Sequence, residues 1–226
     1  MRPALLLLHG WTLDSRMWAP QMEAFAPARQ VIAPDRRGFG QSSAPPAPSK
    51  EGDDLVAVLD AFAVERAVVV GMSQGGRIAL EFARLHPNRI AALVLQGARF
   101  DHGAGRTEIP IAHYTALIRT GRIDEMRRLW AAHAMMQTKT PVAQQAADLM
   151  LASYDGRDLS ANTGALPELK AAEISSITAP ALVVTGALDT EHRHTSAAAL
   201  ARALPQAASI TNGDAGHLCN LCRAEA

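Results

Sequence analysis

The sequence predicts an α/β protein with a mainly parallel sheet flanked by helices, and three observations carry that reading. Short apolar runs recur along the chain, each bounded by Gly, Pro or Asp. The runs are continuous rather than alternating, as strands covered on both faces require. Helical patterns lie between several of them, and such alternation marks strands joined by helical crossovers.

The predicted strands are Ala4 to Leu8, Gln30 to Ala33, Ala67 to Val70, Ala91 to Leu95, Ala181 to Thr185 and a weaker Ala208 to Thr211. Helical patterns cover Asp53 to Phe62, Gln74 to His86 and Thr195 to Leu204. Phe100 to Glu173 breaks this rhythm, offering mainly helices: Ala112 to Arg119, Asp124 to Met136 and Pro141 to Ser153. An insertion between two strands belongs over the C-terminal edge of the sheet, where open α/β folds bind ligands. The chain therefore divides into a first core part (1–99), a small helical lid (100–173) and a second core part (174–226). Gln41 to Lys50, rich in Ser and Pro, reads as a surface loop.

Composition narrows the partners. With 226 residues, 48% apolar and 19% charged, the chain can bury a full core. Lys plus Arg and Asp plus Glu each number 22, so no net field gathers nucleic acid or an acidic membrane. Ala4 to Leu8 is too short for a signal h-region, and no stretch approaches the roughly eighteen apolar residues of a membrane helix. A small-molecule partner and a cytoplasmic setting are expected. Cys219 and Cys222 form a Cys-x-x-Cys pair without further zinc ligands at matching spacing, and read as reduced structural thiols.

The sharpest signal is Gly71-Met72-Ser73-Gln74-Gly75-Gly76, directly after the run AVVV and directly before a helical pattern. Gly-x-Ser-x-Gly at a strand-to-helix turn forces the serine into a tight conformation that exposes its hydroxyl at the sheet edge. The following helix N-terminus aims N–H groups and partial positive charge at an oxyanion formed there.

Three further motifs join it: His9-Gly10-Trp11 after the first strand, Asp35 to Ser42 (DRRGFGQS) after the second, and Gly186-Ala187-Leu188-Asp189 after a later one, with Gly216-His217 last. Together they make the chain resemble the α/β-hydrolase superfamily over nearly its whole length, closest in character to small carboxylesterases and 3-oxoadipate enol-lactone hydrolases. The resemblance implies Ser73 as nucleophile, His217 as base and Asp189 as its orienting acid, in the family's Ser, Asp, His order. Asp101 is the alternative acid, and Asp214 is assigned to the turn before His217. The implied oxyanion donors are the backbone N–H groups of Trp11 and Gln74, with the Trp11 indole also walling the pocket.

Other features receive plainer readings. His9 is expected to support the oxyanion loop, and the Gly-x-Gly at Gly38 to Gly40 is part of the hydrolase signature, not a nucleotide cradle. His192-Arg193-His194 reads as an exposed turn, not a metal site. Met126 and Trp130, with Met135 and Met136, are candidates to line an acyl pocket, although such spacing also serves helix packing. Arg119, Arg122, Arg127 and Arg128, beside Asp124 and Glu125, read as a solvated face.

The family usually carries a strand hairpin before His-Gly and a long helix after the histidine. Here the first strand begins by Ala4 and nine residues follow His217, so a fold reduced at both ends is expected, with a homodimer as one way to cover it. A serine at the elbow argues against the haloalkane dehalogenases and epoxide hydrolases of this fold. Hydrolysis of a carboxylic ester or lactone without metal or organic cofactor is expected, with acyl transfer or perhydrolysis, carbon–carbon bond hydrolysis, and a non-enzymatic receptor as alternatives. The expected pH profile rises as His217 loses its proton, near or above about 6.5.

Overall fold

In the computed structural model, which describes residues 2–100, 108–161, 163–164 and 168–222, the six apolar runs form one six-stranded sheet. Its strands are β1 (Ala4–Leu8), β2 (Val31–Ile32), β3 (Ala67–Met72), β4 (Ile90–Gln96), β5 (Ala181–Gly186) and β6 (Ala207–Asn212). Their order is β2-β1-β3-β4-β5-β6, and every pairing among the described residues is parallel. The chain winds outward from β1 to β2, then returns to β3 on the other side of β1. That reversal makes the C-terminal ends of β1 and β3 the switch point of the sheet, where α/β folds open a crevice.

Helices follow as α1 (Ala19–Phe25), α2 (Glu51–Ala61), α3 (Gln74–Leu85), α4 (Ile111–Arg119), α5 (Ile123–Ala131), α6 (Pro141–Ser153), α7 (Arg157–Ser160), α8 (Ala171–Ser175), α9 (Glu191–Ala203) and α10 (Cys219–Cys222). The leucine run of β1 shows why its apolar character is unbroken. Successive side chains point to opposite faces: Leu6 and Leu8 enter a core with Val69, Leu93, Phe82 and Leu200, while Leu5 and Leu7 face a second core with Trp18 and Met72. The insertion between β4 and β5 supplies Tyr114, Met126, Trp130 and Leu151 to that second core. Truncating one such leucine to alanine costs roughly 2–5 kcal/mol.

Two elements differ from expectation for identifiable reasons. The helix expected over Asp124 to Met136 is divided, because His133 is extended (φ −70°, ψ 142°) and its ring Nδ1 accepts the Met135 N–H at 3.3 Å. A 3-10 turn, Ala134–Met136, follows the break. The β6 pattern is weak because this edge strand exposes residues 208–211, leaving little burial to demand apolar side chains. Among the described residues, no helix is long and apolar enough to cross a membrane.

Gly75 fixes how closely α3 approaches β1: a Cβ there would overlap the backbone carbonyl oxygens of Leu8 and His9. Gly75→Ala is therefore expected to cost at least about 2 kcal/mol, a drop of roughly 4–8 °C in Tm for a chain of this size. Gly121→Ala, with open space but φ of +75°, should cost no more than the left-handed penalty of about 1–2 kcal/mol. Equal losses in chemical and thermal unfolding would refute the close-approach argument.

Candidate active site

Ser73 sits between β3 and α3 with φ 52° and ψ −110°, a backbone conformation that a side-chain-bearing residue rarely adopts. Its N–H donates to Gln96 O at 2.8 Å, tying the turn to the end of β4. Three glycines make room: a Cβ on Gly71 would lie 2.5 Å from Gly75 O, and one on Gly76 would lie 2.7 Å from Ala98 Cβ. Gly75, as above, meets the end of β1. The strained serine is thus held by its neighbours on both sides, which is how such geometry persists.

Beside it runs the loop leaving β1, in register because Leu8 pairs with Gly71. His9 Nε2 accepts the Arg36 N–H at 3.0 Å while Nδ1 lies 2.8 Å from Gly10 O. An imidazole that accepts at one nitrogen and donates at the other is neutral, and burial drives its pKa down to about 3. His9 therefore braces the loop. Thr12 has φ 61°, and its hydroxyl donates to Trp11 O at 2.6 Å while accepting from Trp130 Nε1 at 2.8 Å. Trp11 leaves β1 and Gln74 opens α3, so their N–H groups flank the switch point. A first helical residue has no intrahelical acceptor for its N–H.

Arg36 binds the pieces together. Its guanidinium donates to Gln74 Oε1 at 2.7 Å and to the buried Glu51 at 3.0 Å, and it lies over the Phe39 ring, 4.7 Å from the centroid. The turn of the DRRGFGQS motif is fixed by Asp35, which accepts from Ser15 N–H at 2.8 Å and Gln41 N–H at 2.7 Å.

On the other side of the elbow, His217 Nδ1 lies 2.8 Å from Asp189 Oδ2, both side chains almost fully buried. The partner-free nitrogen is Nε2, buried and without a hydrogen bond, so the Ser73 hydroxyl is not bonded to it in this structure. What joins the two is the Gln96–Gly97 segment: Gln96 O receives the Ser73 N–H, and a Cβ on Gly97 (φ +54°) would lie 2.8 Å from His217 Cε1. Asp101 lies outside the described residues. Asp214 is an exposed turn residue after β6.

The electrostatics correct one expectation. Burial lowers the His217 pKa, and the hydrogen bond and charge of Asp189, which raise it, do not fully offset this; Arg193 lowers it further. Burial also acts to raise Asp189, but its bonds to His217 and to the Thr190 N–H, with the Arg193 charge, hold it below the usual carboxylate value. The His217 titration thus falls below 6.5 rather than at or above it.

Ser73, Gln74 and Trp11 share the wall of a cavity of about 480 Å³ with Phe100, Ile109 and Asp158. Met126 and Trp130, expected there, do not line it: both are buried in the second core, and the Trp130 ring packs tilted against Trp11 with centroids 5.0 Å apart. Met135 and Met136 are buried in the same core. Arg193 is also misread by sequence. It is 3% exposed inside α9, donating to Glu108 at 2.9 Å and to Gly97 O at 3.1 Å. Only a partner distant in sequence buries this arginine, so nothing local reveals it. Arg122 pairs with Glu125 on a solvated face, whereas Arg127, besides its pair with Asp124, donates to Tyr154 O at 3.0 and 2.6 Å and ties α5 to the end of α6.

Sequence reasoning also missed Asp158 and Gln96. Asp158 accepts from Trp11 Nε1 at 2.8 Å and Tyr154 OH at 2.6 Å, joining the insertion to the loop after β1; burial raises its pKa. No motif surrounds it. Gln96 donates to His217 O at 3.3 Å and Asn220 Oδ1 at 3.1 Å, and Asn220 donates to Met17 O at 3.1 Å. A lone amide ending the apolar run ALVLQ was the available signal. Among the described residues no group of three or more His, Cys, Asp or Glu is placed to hold a metal.

The burial argument is open to direct test. The His217 ring carbons, followed by NMR across pH 4–9, should titrate with a midpoint below 6.5, and Asp189→Asn should move it lower still by removing the interaction that raises it. A wild-type midpoint above 6.5 would show that Asp189 outweighs desolvation.

With this geometry in view, comparison with known proteins is informative. The chain matches the alpha/beta hydrolase fold family over residues 3–221. It is 31% identical over 238 residues to a pimeloyl-(acyl-carrier protein) methyl ester esterase of Aromatoleum aromaticum, covering 96% of this chain and 91% of that protein. Among solved structures, an enol-lactonase from Burkholderia xenovorans LB400 has a TM-score of 0.84 at 24% identity, covering 100% of this chain and 88% of that one. A thermophilic esterase from Thermogutta terrifontis has a TM-score of 0.80 at 26% identity, covering 100% and 86%. Sheet order, elbow and sequence match agree: the chain belongs to the α/β hydrolase fold family.

Proposed function

We propose that this chain is a serine hydrolase that cleaves a carboxylic ester or lactone through Ser73, with His217 as general base and Asp189 orienting it. The observation that carries the proposal is Ser73 in its strained turn on the wall of a 480 Å³ cavity, one peptide segment away from a histidine whose other nitrogen is held by a carboxylate. An ester hydrolase among the relatives that match nearly the full chain supports an ester over other substrates.

A serine hydroxyl is barely ionised at neutral pH, so attack requires a neutral imidazole to take its proton. The Asp189 bond at Nδ1 leaves the Nε2 lone pair for that purpose. Oγ bonds to the carbonyl carbon, the proton passes to Nε2, and the carbonyl oxygen becomes an oxyanion facing the N–H groups of Trp11 and Gln74. Collapse breaks the carbon–oxygen bond to the alcohol, which leaves with the proton from Nε2. Water then repeats the sequence on the acyl-enzyme and releases the acid. Preorganised donors matter because they need no reorganisation when charge develops, and one such donor is typically worth roughly 3 kcal/mol. Catalytic hydrogen bonds of the Ser73–His217 kind are often long until substrate binds.

In this reading residues 100–173 act as a lid, and Asp158 is its tie to the loop that carries Trp11. Transfer of the acyl group to an alcohol or peroxide needs only a different second nucleophile.

Turnover of p-nitrophenyl butyrate by the wild type and by Ser73→Ala, with a fluorophosphonate label mapped by mass spectrometry, tests the assignment. Hydrolysis should fall by at least 10³-fold and the label vanish in the variant. In the wild type, kcat/KM should rise with pH through a midpoint below 6.5, because the base works only once deprotonated and its pKa is lowered. Hydrolysis that survives in Ser73→Ala removes Ser73 as nucleophile; labelling without turnover favours a receptor.

A further inference from the structure

The cavity beside Ser73 holds an arginine with nothing to bind. Arg77 lies one turn along α3 from the elbow and lines the same cavity as Ser73 and Gln74. Both terminal nitrogens of its guanidinium are buried and neither has a hydrogen-bond partner. The other cations nearby are committed: Arg37 is bidentate on Asp54 at 2.5 and 2.6 Å, Arg36 on Glu51 and Gln74, and Arg193 on Glu108. Arg99, which lines the same cavity, also has a partner. Among the acids near Arg77, Glu81 is paired with Arg84 at 2.7 Å, and Glu173 accepts the Lys170 N–H at 2.8 Å. Glu168 lines the cavity but makes no hydrogen bond with Arg77.

A guanidinium presents donors in a planar fork that matches a carboxylate, and leaving it unpaired out of water costs several kcal/mol. A fold keeps such a group in a ligand cavity at low cost only if something completes it there. We infer that Arg77 receives an anionic group of the substrate, so that the natural ester or lactone carries a carboxylate near its reacting carbonyl. Four residues of helix separate the two positions by roughly 6 Å along the axis, so a few methylenes span from carbonyl to anion. This inference rests on the hydrolase reading for its turnover test, but not for its binding test.

Two substrate pairs locate the anion. Mono-p-nitrophenyl glutarate against p-nitrophenyl methyl glutarate places it on the acyl side; 4-carboxyphenyl butyrate against its methyl ester places it on the alcohol side. Wild-type kcat/KM should favour the charged member of one pair at least tenfold, and that ratio should collapse in Arg77→Gln and recover in part in Arg77→Lys. A ratio near one in the wild type for both pairs, or a preference that Arg77→Gln leaves intact, overturns the inference. Equal loss of both members in Arg77→Gln, with the ratio preserved, marks Arg77 as structural and does the same.

Binding separates this idea from the catalytic one. Monomethyl glutarate should bind the Ser73→Ala protein at least tenfold more tightly than dimethyl glutarate by calorimetry, and Arg77→Gln in that background should abolish the difference. If this difference is seen while the wild type turns over no ester, the anion site stands and the hydrolase assignment fails. If esters are hydrolysed but monomethyl glutarate binds no better than its diester, the anion site fails alone. Glu168→Gln is the remaining control: removing this negative charge from the cavity wall should tighten binding of monomethyl glutarate with selectivity retained, whereas loss of selectivity while Arg77 is intact would overturn the inference.

Discussion

The conformation of Ser73 organises the surrounding structure. A φ of 52° on a residue with a side chain costs of order 1–3 kcal/mol and relaxes unless its neighbours forbid it. Those neighbours come from three strands: Gly75 sits against the carbonyls that end β1, Gly71 and Gly76 close the turn on itself, and Gln96 at the end of β4 accepts the serine N–H. Holding the serine therefore also fixes the crevice between β1 and β3. Gly97, next along β4, then sets how near the His217 ring can come.

The polar groups of the site form a connected set, and their value lies in geometry more than in stability. Arg36 and Glu51 illustrate this. A buried ion pair rarely adds net stability over apolar packing, but removing one partner costs about 3–5 kcal/mol because the other is stranded. Here the pair also delivers a guanidinium to Gln74 Oε1, beside Ser73. Thr12 does comparable work on the facing loop, where its left-handed backbone is held by hydrogen bonds to Trp11 and Trp130. Trp11 in turn reaches Asp158, so the insertion and the sheet loop are coupled through aromatic packing and one hydrogen bond to a carboxylate, which Tyr154 holds in place from within the insertion. Displacing the insertion would break the Trp11–Asp158 bond and leave Asp158 with Tyr154 alone, and so the tie resists partial opening.

How much of this was legible in the sequence follows from the range of each interaction. The strands of the sheet core were readable because burial on both faces leaves an unbroken apolar run, as in ALLLL and ALVVTG. The elbow was readable because its glycines, serine and flanking elements are contiguous. Asp189 and His217 came from the family resemblance, which puts an acid and a histidine after these strands, and the structure brings their side chains together. What escaped notice depends on partners far apart in sequence: Arg193 is buried by Glu108, and Asp158 is fixed by Trp11. The cavity wall failed for a related reason. Met126 and Trp130 have the helical spacing of an inward face, but spacing does not say whether that face meets a cavity or another side chain, and here it meets Trp11 and the second core.

Desolvation is the common term in the site's electrostatics, and what opposes it differs from group to group. Removal from water favours the neutral form of every titratable side chain. For His217 that preference prevails, and the imidazole stays neutral into mildly acidic solution. For Asp189 it does not, because two hydrogen bonds and the Arg193 charge stabilise the anion. Asp158 falls on the other side, since donors from Tyr154 and Trp11 leave its pKa raised. The largest support for the Asp189 anion is the His217 ring, through its hydrogen bond and its charge; the Thr190 N–H and the charge of Arg193, which Glu108 holds inside α9, add to it. An ionised carboxylate behind a neutral imidazole is the state a general base requires at neutral pH. A buried Arg193–Glu108 pair contributes to it without a hydrogen bond to the serine or the histidine, which links Glu108 in the insertion to the electrostatics of the Asp189–His217 pair.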